Sequence, residues 1–331
     1  MTSATLLLPA RARLAQQRLP PALAARLARA ERTFDPTDGH GVGQLGRVLE
    51  VLPRTWPVAA ATRQRDVGDA IGAAWLRADP AYVRPDINGA RLLAHGPALA
   101  LDAADVQAFL PALRPLFGDA GLPIDAPDPS RWYLRLPAGA KWPLFVPPDI
   151  ALGDDVFDHL PGASADETGE GKRWRALLSE AQVVLHNHPR NAERLAKGLA
   201  PVNSLWFWGA GLLPGVVRTD YANIATDDEA LAAMASLAGA TTVALPAKWP
   251  SAPLLGSNAG VNAEGRRELF DLRHARDLAA LERDWLAPLH EEILAGRLQR
   301  ATLDFADGHM FVLTAGQRWR LWRRALGALD A

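Results

Sequence analysis

A chain of 331 residues, 49% apolar and 22% charged, can bury a sizeable core in one large α/β domain or two modest ones. That balance excludes disorder, collagen-like repeats and coiled-coil rods, and the absence of cysteine excludes disulfides, thiolate metal sites and cysteine nucleophiles. With 36 basic and 37 acidic residues the net charge is −1, which lacks the cationic excess that a dedicated nucleic-acid binder needs. Eleven Trp against three Tyr, and 32 Arg against four Lys, are the compositional biases to be explained.

Residues 1–15 hold only a short apolar run before Pro9 and two arginines, too little for a secretory signal. Residues 11–32 contain six arginines and one acid, Glu31. Their Leu14, Leu19, Leu23 and Leu27 predict an amphipathic surface helix broken at Pro20-Pro21. No run of 18 apolar residues occurs, so no membrane partner and a cytoplasmic location are expected. Helical periodicity continues over residues 43–80, interrupted at Pro53 and Pro57, and residues 92–101 predict a pair of strands. Asp102 reads as the N-cap of a helix ending near Leu110, before Pro111. The alternating aromatic stretch of residues 131–136 predicts a strand, and Pro143, Pro147 and Pro148 break the chain beyond it into extended turns.

Residues 161–172, polar and glycine-rich, predict a surface loop or a hinge. As a hinge they would divide the chain into lobes of residues 1–160 and 161–331; as a loop they leave one continuous domain. A helix over residues 173–186, a second from Arg190 ended by Gly198, and a strand over residues 203–211 come next. Asp227, Asp228 and Glu229 start a helix that runs to Ala238, and residues 239–246 predict a short strand. This alternation predicts an α/β fold with a largely parallel sheet flanked by helices. A polar loop at residues 251–265 leads to a helix over residues 268–294 with a kink at Pro288. Residues 302–306 and 309–313 flank Asp307-Gly308 as a type I′ hairpin, and a last helix carries residues 317–324.

Eight histidines limit the metal chemistry. His186 and His188, two apart before a proline, point the same way in extended chain and could share a metal, or could cap a helix end. Asp154, Asp155, Asp158 and His159 form the densest acid–histidine group, and Asp304, Asp307 and His309 a third. His290-Glu-Glu-Ile-Leu294 lacks the second histidine of a zincin. The glycine turn from Asp38 to Gly43 lacks the Lys-Ser/Thr of a P-loop, and no Gly-x-Ser-x-Gly nucleophile elbow is present. The Trp/Arg-rich residues 318–324 could stack on bases or clamp phosphates, or form a terminal helix with Trp319 and Trp322 packed inward. Asn191 and Arg194, three apart on a short helix, share a face suited to a carboxylate or phosphate. The strand after them ends in Trp208-Gly-Ala-Gly211, a glycine turn where α/β sheets place ligands.

The stretch from His188 to Gly211 resembles a signature of archaeal-type cofactor-independent phosphoglycerate mutases. Those enzymes carry His-Pro-x-Asn, then Arg, then Gly-x-x-Pro-Ala-Asn, a short strand and a Gly-x-Gly turn. The chain as a whole resembles a proteobacterial phosphoglycerate-mutase-like family, also known as the type E regulatory protein of the pathogenicity-factor cluster. That likeness rests on residues 75–80, residues 131–134, the mutase-like stretch and residues 313–324. The resemblance implies a distantly alkaline-phosphatase-like fold, two divalent metals and a Ser or Thr nucleophile. The metal motifs implied are an early Asp-Gly-x-Gly-Asp and late Asp-x-x-Gly-His and Asp-His-Ser-Thr. Here the first 30 residues contain no acid, Asp304 and His309 are wrongly spaced, and the one Asp-His pair, Asp158-His159, precedes the mutase-like stretch.

The resemblance with these departures implies a catalytically degenerate protein without a cofactor, binding a small anionic or phosphorylated ligand in a regulatory role. Asn191, Arg194 and Asn203 would be the polar contacts, and Gly209 and Gly211 would allow close approach. Two alternatives stand beside it. One is a metal-dependent phosphotransferase with ligands among His186, His188, Asp154, Asp158 and His159. The other is a protein-interaction module built from the tryptophans and the Arg-rich terminal helix.

Overall fold

The structure, a computed structural model, describes residues 2–35, 42–87, 89–161, 169–250 and 267–329. The glycine turn beginning at Asp38, most of the loop at 161–172 and the loop at 251–265 lie outside the described residues. The strands are, in chain order, β1 (Ser3–Leu8), β2 (Glu31–Phe34), β3 (Glu50–Leu52), β4 (Ala74–Asp86), β5 (Gly89–His95), β6 (Ile124–Asp128) and β7 (Arg131–Leu136). They continue with β8 (Ser204–Leu212), β9 (Val216–Arg218), β10 (Asn223–Ala225), β11 (Thr241–Val243), β12 (Arg267–Asp271), β13 (Arg300–Phe305) and β14 (His309–Leu313). Among the described residues no helix is long and apolar enough to cross a membrane.

The chain divides into two compact units, Met1–Arg54 with Val216–Ala331, and Thr55–Gly215. A division at residue 160 is therefore corrected. That position lies inside the second unit, because β4 pairs with β8 from Ala74 opposite Leu212 to Ala81 opposite Ser204.

In the first unit a seven-stranded sheet runs β11-β10-β12-β1-β13-β14-β2. Its first five strands are mutually parallel, and β14 is antiparallel to both β13 and β2. β1 is central, and its apolar run is buried on both faces, as a parallel strand's should be. Ala4, Leu6 and Leu8 pack with Leu23 and Leu27 of the helix Pro21–Arg29 and with Leu281, Trp285 and Leu289. Each large side chain buried this way contributes roughly 1.5–3 kcal/mol.

The helix expected over 268–294 is two elements. Residues 267–271 are β12, and the helix runs Leu278–Leu281, a π-helical stretch Glu282–Leu286, then Ala287–Leu294. The π stretch precedes Pro288, which has no N–H to give the carbonyl of Asp284. That carbonyl accepts instead from the N–H of Trp249 at 2.8 Å. The expected hairpin forms as β13 and β14, but its loop has three residues, with Gly308 at φ +85° and its N–H bonded to Phe305 O at 3.0 Å. The terminal helix is absent: a 3₁₀ turn, Ala315–Trp319, is followed by bends, and Trp319 and Trp322 are exposed.

In the second unit the sheet is antiparallel. β8 lies on one edge of β4; β7 and β5 share the other, with β6 beside β7. A largely parallel sheet thus holds for the first unit only, and the strand expected at 203–211 runs antiparallel to β4. Hydrophobic periodicity marks a strand but carries no information about its neighbour's direction. Residues 43–80, expected as helix, fold instead as short helices at Val42–Gly46 and Val58–Asp66 with β3 and the start of β4. The helix capped by Asp102 extends through Pro111 and Pro115 to Asp119. Each interior proline costs about 3 kcal/mol. Burial of Phe109, Leu113 and Phe117 along one face, at roughly 1.5–3 kcal/mol each, offsets most of it.

Candidate functional site

The residues of the mutase-like stretch lie in the second unit and are engaged internally. Asn191 lies in the first turn of the helix Arg190–Ala196 and is buried. Its Nδ2 donates to the carbonyls of Leu185 (2.8 Å) and Val202 (2.9 Å), and its Oδ1 accepts from Val202 N–H (2.8 Å). The amide thereby ties the end of the helix Gly169–His186 to the chain entering β8. Arg194 is 1% exposed and donates to Asp105, to Leu99 O (2.5 Å) and to Ala200 O (2.9 Å). Asp105 also receives Arg190 at 2.7 Å and completes the capping box with Asp102. Asn203 bonds both backbone groups of Val83, accepting at 2.9 Å and donating at 2.7 Å, so it prolongs the pairing of β8 with β4.

A helix packs closely against both glycines. A Cβ on Gly209 (φ +67°) would lie 3.0 Å from Val58 Cβ and 3.2 Å from Ala59 N. On Gly211 it would lie 2.6 Å from Pro57 Cβ. Both glycines let the N-terminal end of the helix Val58–Asp66 press on β8.

The histidine groups do not converge. His188 Nδ1 accepts from Arg190 N–H at 3.2 Å and its ring lies 4.8 Å from that of Phe109, while His186 is exposed at its helix end. His159 reaches Asp154 at 3.4 Å, Asp155 caps the turn Val156–His159, and Asp158 is exposed. Among the described residues no group of three or more His, Asp or Glu could hold a metal.

Sheet topology points elsewhere. After β10 the chain crosses outward to β11 through the helix Glu229–Leu237; after β12 it crosses the other way, past β1, to β13. Connections leaving β10 and β12 in opposite directions open a crevice at the carboxyl ends of those strands. A cleft of about 370 Å³ lies there, with Asp227, Asp271, His274, Arg276 and Trp285 among its walls. Asp271, almost fully buried at the end of β12, accepts from Thr226 Oγ1 (2.8 Å) and from Arg273 Nε and Nη2 (both 2.7 Å). Arg273 also donates to Asp228 at 2.7 Å. The other oxygen of Asp228 caps the helix Glu229–Leu237 through Ala230 and Leu231 N–H. Burial pushes the Asp271 carboxyl up, but Arg273 and Thr226 outweigh it and hold the group below the usual carboxylate range.

The same arrangement recurs along this edge. Asp304 in β13 is buried under Arg47, at 2.6 and 3.1 Å, and Arg47 lies 3.8 Å from Asp35. Burial leaves the Asp304 carboxyl above its ordinary value despite that partner. Asp307 takes Arg11 at 2.8 Å, and His309 faces Phe34 instead, ring centroids 4.5 Å apart. A guanidinium fork fills the in-plane lone pairs of a carboxylate that a divalent metal would otherwise use. The metals implied by the resemblance therefore do not fit the described residues, because Asp271, Asp228 and Asp304 are already matched by arginines. The sequence signal for Arg273 was slight: an Asp-x-Arg following a short apolar run. Arg47 and Asp304 are 257 positions apart, and no local pattern joins them.

No family model matches the chain. Seventy residues are 41% identical to the probable 2,3-bisphosphoglycerate-independent phosphoglycerate mutase of Geobacter sulfurreducens. Sixty-nine are 35% identical to the 2,3-bisphosphoglycerate-independent phosphoglycerate mutase of Methanosarcina barkeri. Each match covers 21% of this chain and 16% of the relative. Among solved structures, the cofactor-independent phosphoglycerate mutase from Thermoplasma acidophilum is similar at a TM-score of 0.43 and 14% identity, covering 96% of this chain and 90% of the other. A protein from Pyrococcus horikoshii is similar at 0.45 and 11%, covering 95% and 87%. The chain is remotely similar to cofactor-independent phosphoglycerate mutases.

Proposed function

We propose that this is a mutase-like protein of distantly alkaline-phosphatase-like architecture that no longer performs metal-dependent phosphoryl transfer. It holds a small phosphorylated ligand in a regulatory role. The observation that carries the reading is Arg273 bridging Asp271 and Asp228 at the switch between β10 and β12. A two-metal clamp needs several carboxylates with free lone pairs. Pulling the guanidinium off a buried carboxylate costs about 3–5 kcal/mol, which weakens any metal bound there by roughly two to four orders of magnitude. With Asn191, Arg194 and Asn203 committed inside the second unit, the ligand's phosphate falls to the cleft of the first. There His274 and Arg276 are exposed, and Arg276 donates only to the backbone carbonyls of Arg273 and Ala275 among the described residues.

The test uses purified full-length protein. We expect no turnover of 3-phosphoglycerate with manganese and no stoichiometric metal by elemental analysis. Calorimetric titration should show 3-phosphoglycerate or inorganic phosphate binding, weakened about tenfold or more in Arg276→Ala, the loss of one charge-assisted contact. Turnover with manganese refutes the non-catalytic half of the reading. Binding that is absent, or unaffected by Arg276→Ala, refutes the ligand half.

A further inference from the structure

The bends that replace the expected terminal helix display an unusual surface. Trp319, Leu321 and Trp322 are 67%, 71% and 75% exposed, although the other described tryptophans are mostly buried. The segment is pinned on both sides of them. Gln317 Nε2 donates to Val312 O at 2.9 Å, and Arg320 donates to Arg29 O at 3.1 Å. Further on, Leu326 N–H reaches Ala24 O at 3.3 Å and Leu329 is buried. Three large apolar side chains within four residues thus stand out from an anchored stretch of chain.

Arginines surround them. Arg318 stacks 5.0 Å from the Trp319 ring, and Arg323 and Arg324 are exposed. None of Arg318, Arg320, Arg323 and Arg324 pairs with a carboxylate among the described residues, unlike Arg11, Arg47, Arg273 and Arg297. Arg32 of β2 lies near enough to Arg323 and Arg11 that burial and their charges lower its pKa. β2 is the end strand of the seven-stranded sheet and all four of its residues are exposed. On a chain of net charge −1 this is a local concentration of positive charge, set beside a strand that pairs on one edge only among the described residues.

We propose that Trp319–Arg324 together with β2 is a docking surface for an acidic, extended segment of a partner protein. Every cation of the surface is arginine, whose planar fork matches carboxylates, and Trp with Arg are the side chains that dominate protein interfaces. The open edge of β2 offers backbone pairing to an extended peptide. The segment offers no amphipathic helix to lie on a bilayer.

The probe is a short fluorescein-labelled Glu-rich peptide containing leucines, titrated onto the full chain by anisotropy. Vesicles of phosphatidylcholine and phosphatidylserine in equal parts are tested in parallel. The wild type should bind the peptide in a salt-sensitive manner and show no preference for the vesicles. Trp319→Ala/Trp322→Ala should weaken peptide binding about tenfold or more with an unchanged thermal midpoint. Arg318→Lys/Arg323→Lys/Arg324→Lys, which keeps the charge, should weaken it as well. The proposal is overturned if the wild type ignores the peptide, if either variant binds it as well as the wild type, or if vesicles are bound in preference. It is also overturned if the double Trp variant loses thermal stability, because the rings would then be part of the fold.

Discussion

Replacing Arg273 with Met keeps most of the side-chain volume but removes the cation that bridges Asp271 and Asp228. Asp271 is 3% exposed and, among the described residues, would keep only Thr226 and a backbone N–H as donors. Stripping one partner from such a buried pair costs about 3–5 kcal/mol. For a domain of this size each kcal/mol lowers the midpoint by roughly 2–4 °C, so the first unit should melt about 6–20 °C lower at pH 7. The loss should depend on pH. In the wild type the folded Asp271 carboxyl lies below its unfolded value of 3.8, so its stabilisation is present above that value and lost as the pH falls through the folded one. In the variant burial is uncompensated and the folded value rises above 3.8, so the penalty grows as the pH rises. The two proteins should therefore differ most near neutrality and converge as the pH falls below the unfolded value of 3.8. Manganese should raise the stability of the variant, whose acids are uncovered, by about 2.7 kcal/mol at a hundredfold excess over its dissociation constant, and leave the wild type unmoved. The assay is differential scanning calorimetry across pH with and without manganese. A pH-independent difference, one below about 1 kcal/mol at pH 7, or an equal manganese response in both proteins would refute the reasoning.

Two further predictions rest on groups outside the cleft. Asn191→Ala strands the carbonyls of Leu185 and Val202 and the N–H of Val202, and should cost about 3 kcal/mol or more in urea unfolding while leaving phosphate affinity unchanged. Unaltered stability with lost phosphate binding would return Asn191 to a ligand role. His290 is held neutral, its pKa lowered by burial and by the nearby Arg26 and Arg29, and its Nδ1 is buried without a partner among the described residues. Its contribution is intact above the unfolded value of 6.5 and lost as the pH falls below it, so His290→Gln should flatten the stability profile below pH 6.5. A variant as pH-sensitive as the wild type over that interval would contradict the assignment.

Local chemistry made a good part of the fold legible. Asp102 and Asp228 cap helices as read, because an N-cap needs only a short side chain and the next three residues. Gly198 at φ +73° ends the short helix, β7 has the expected bounds, and Asp307-Gly308 turns a hairpin. A likeness to the mutases over about a fifth of the chain was also in the residues themselves. The task each of them performs was not. Asn191, Arg194 and Asn203 look like ligand contacts in one dimension, yet their partners are backbone groups at Leu99, Val83 and Val202 and the carboxylate of Asp105. A polar side chain turned inward to backbone has the same one-letter code as one turned outward to a ligand.

The sequence by itself determined an α/β composition, the caps, turns and most helices, and the absence of thiol chemistry, since each depends on residue identity or on neighbours within a few positions. Only the tertiary structure decided that one sheet is largely parallel and the other antiparallel. It alone also set the cleft at the ends of β10 and β12 and the placing of Arg273 and Arg47 over the acids of the strand ends. Those outcomes depend on which distant segments pack together. Burial then fixes the charge of each aspartate through the cation that reaches it, a choice that spacing along the chain does not encode.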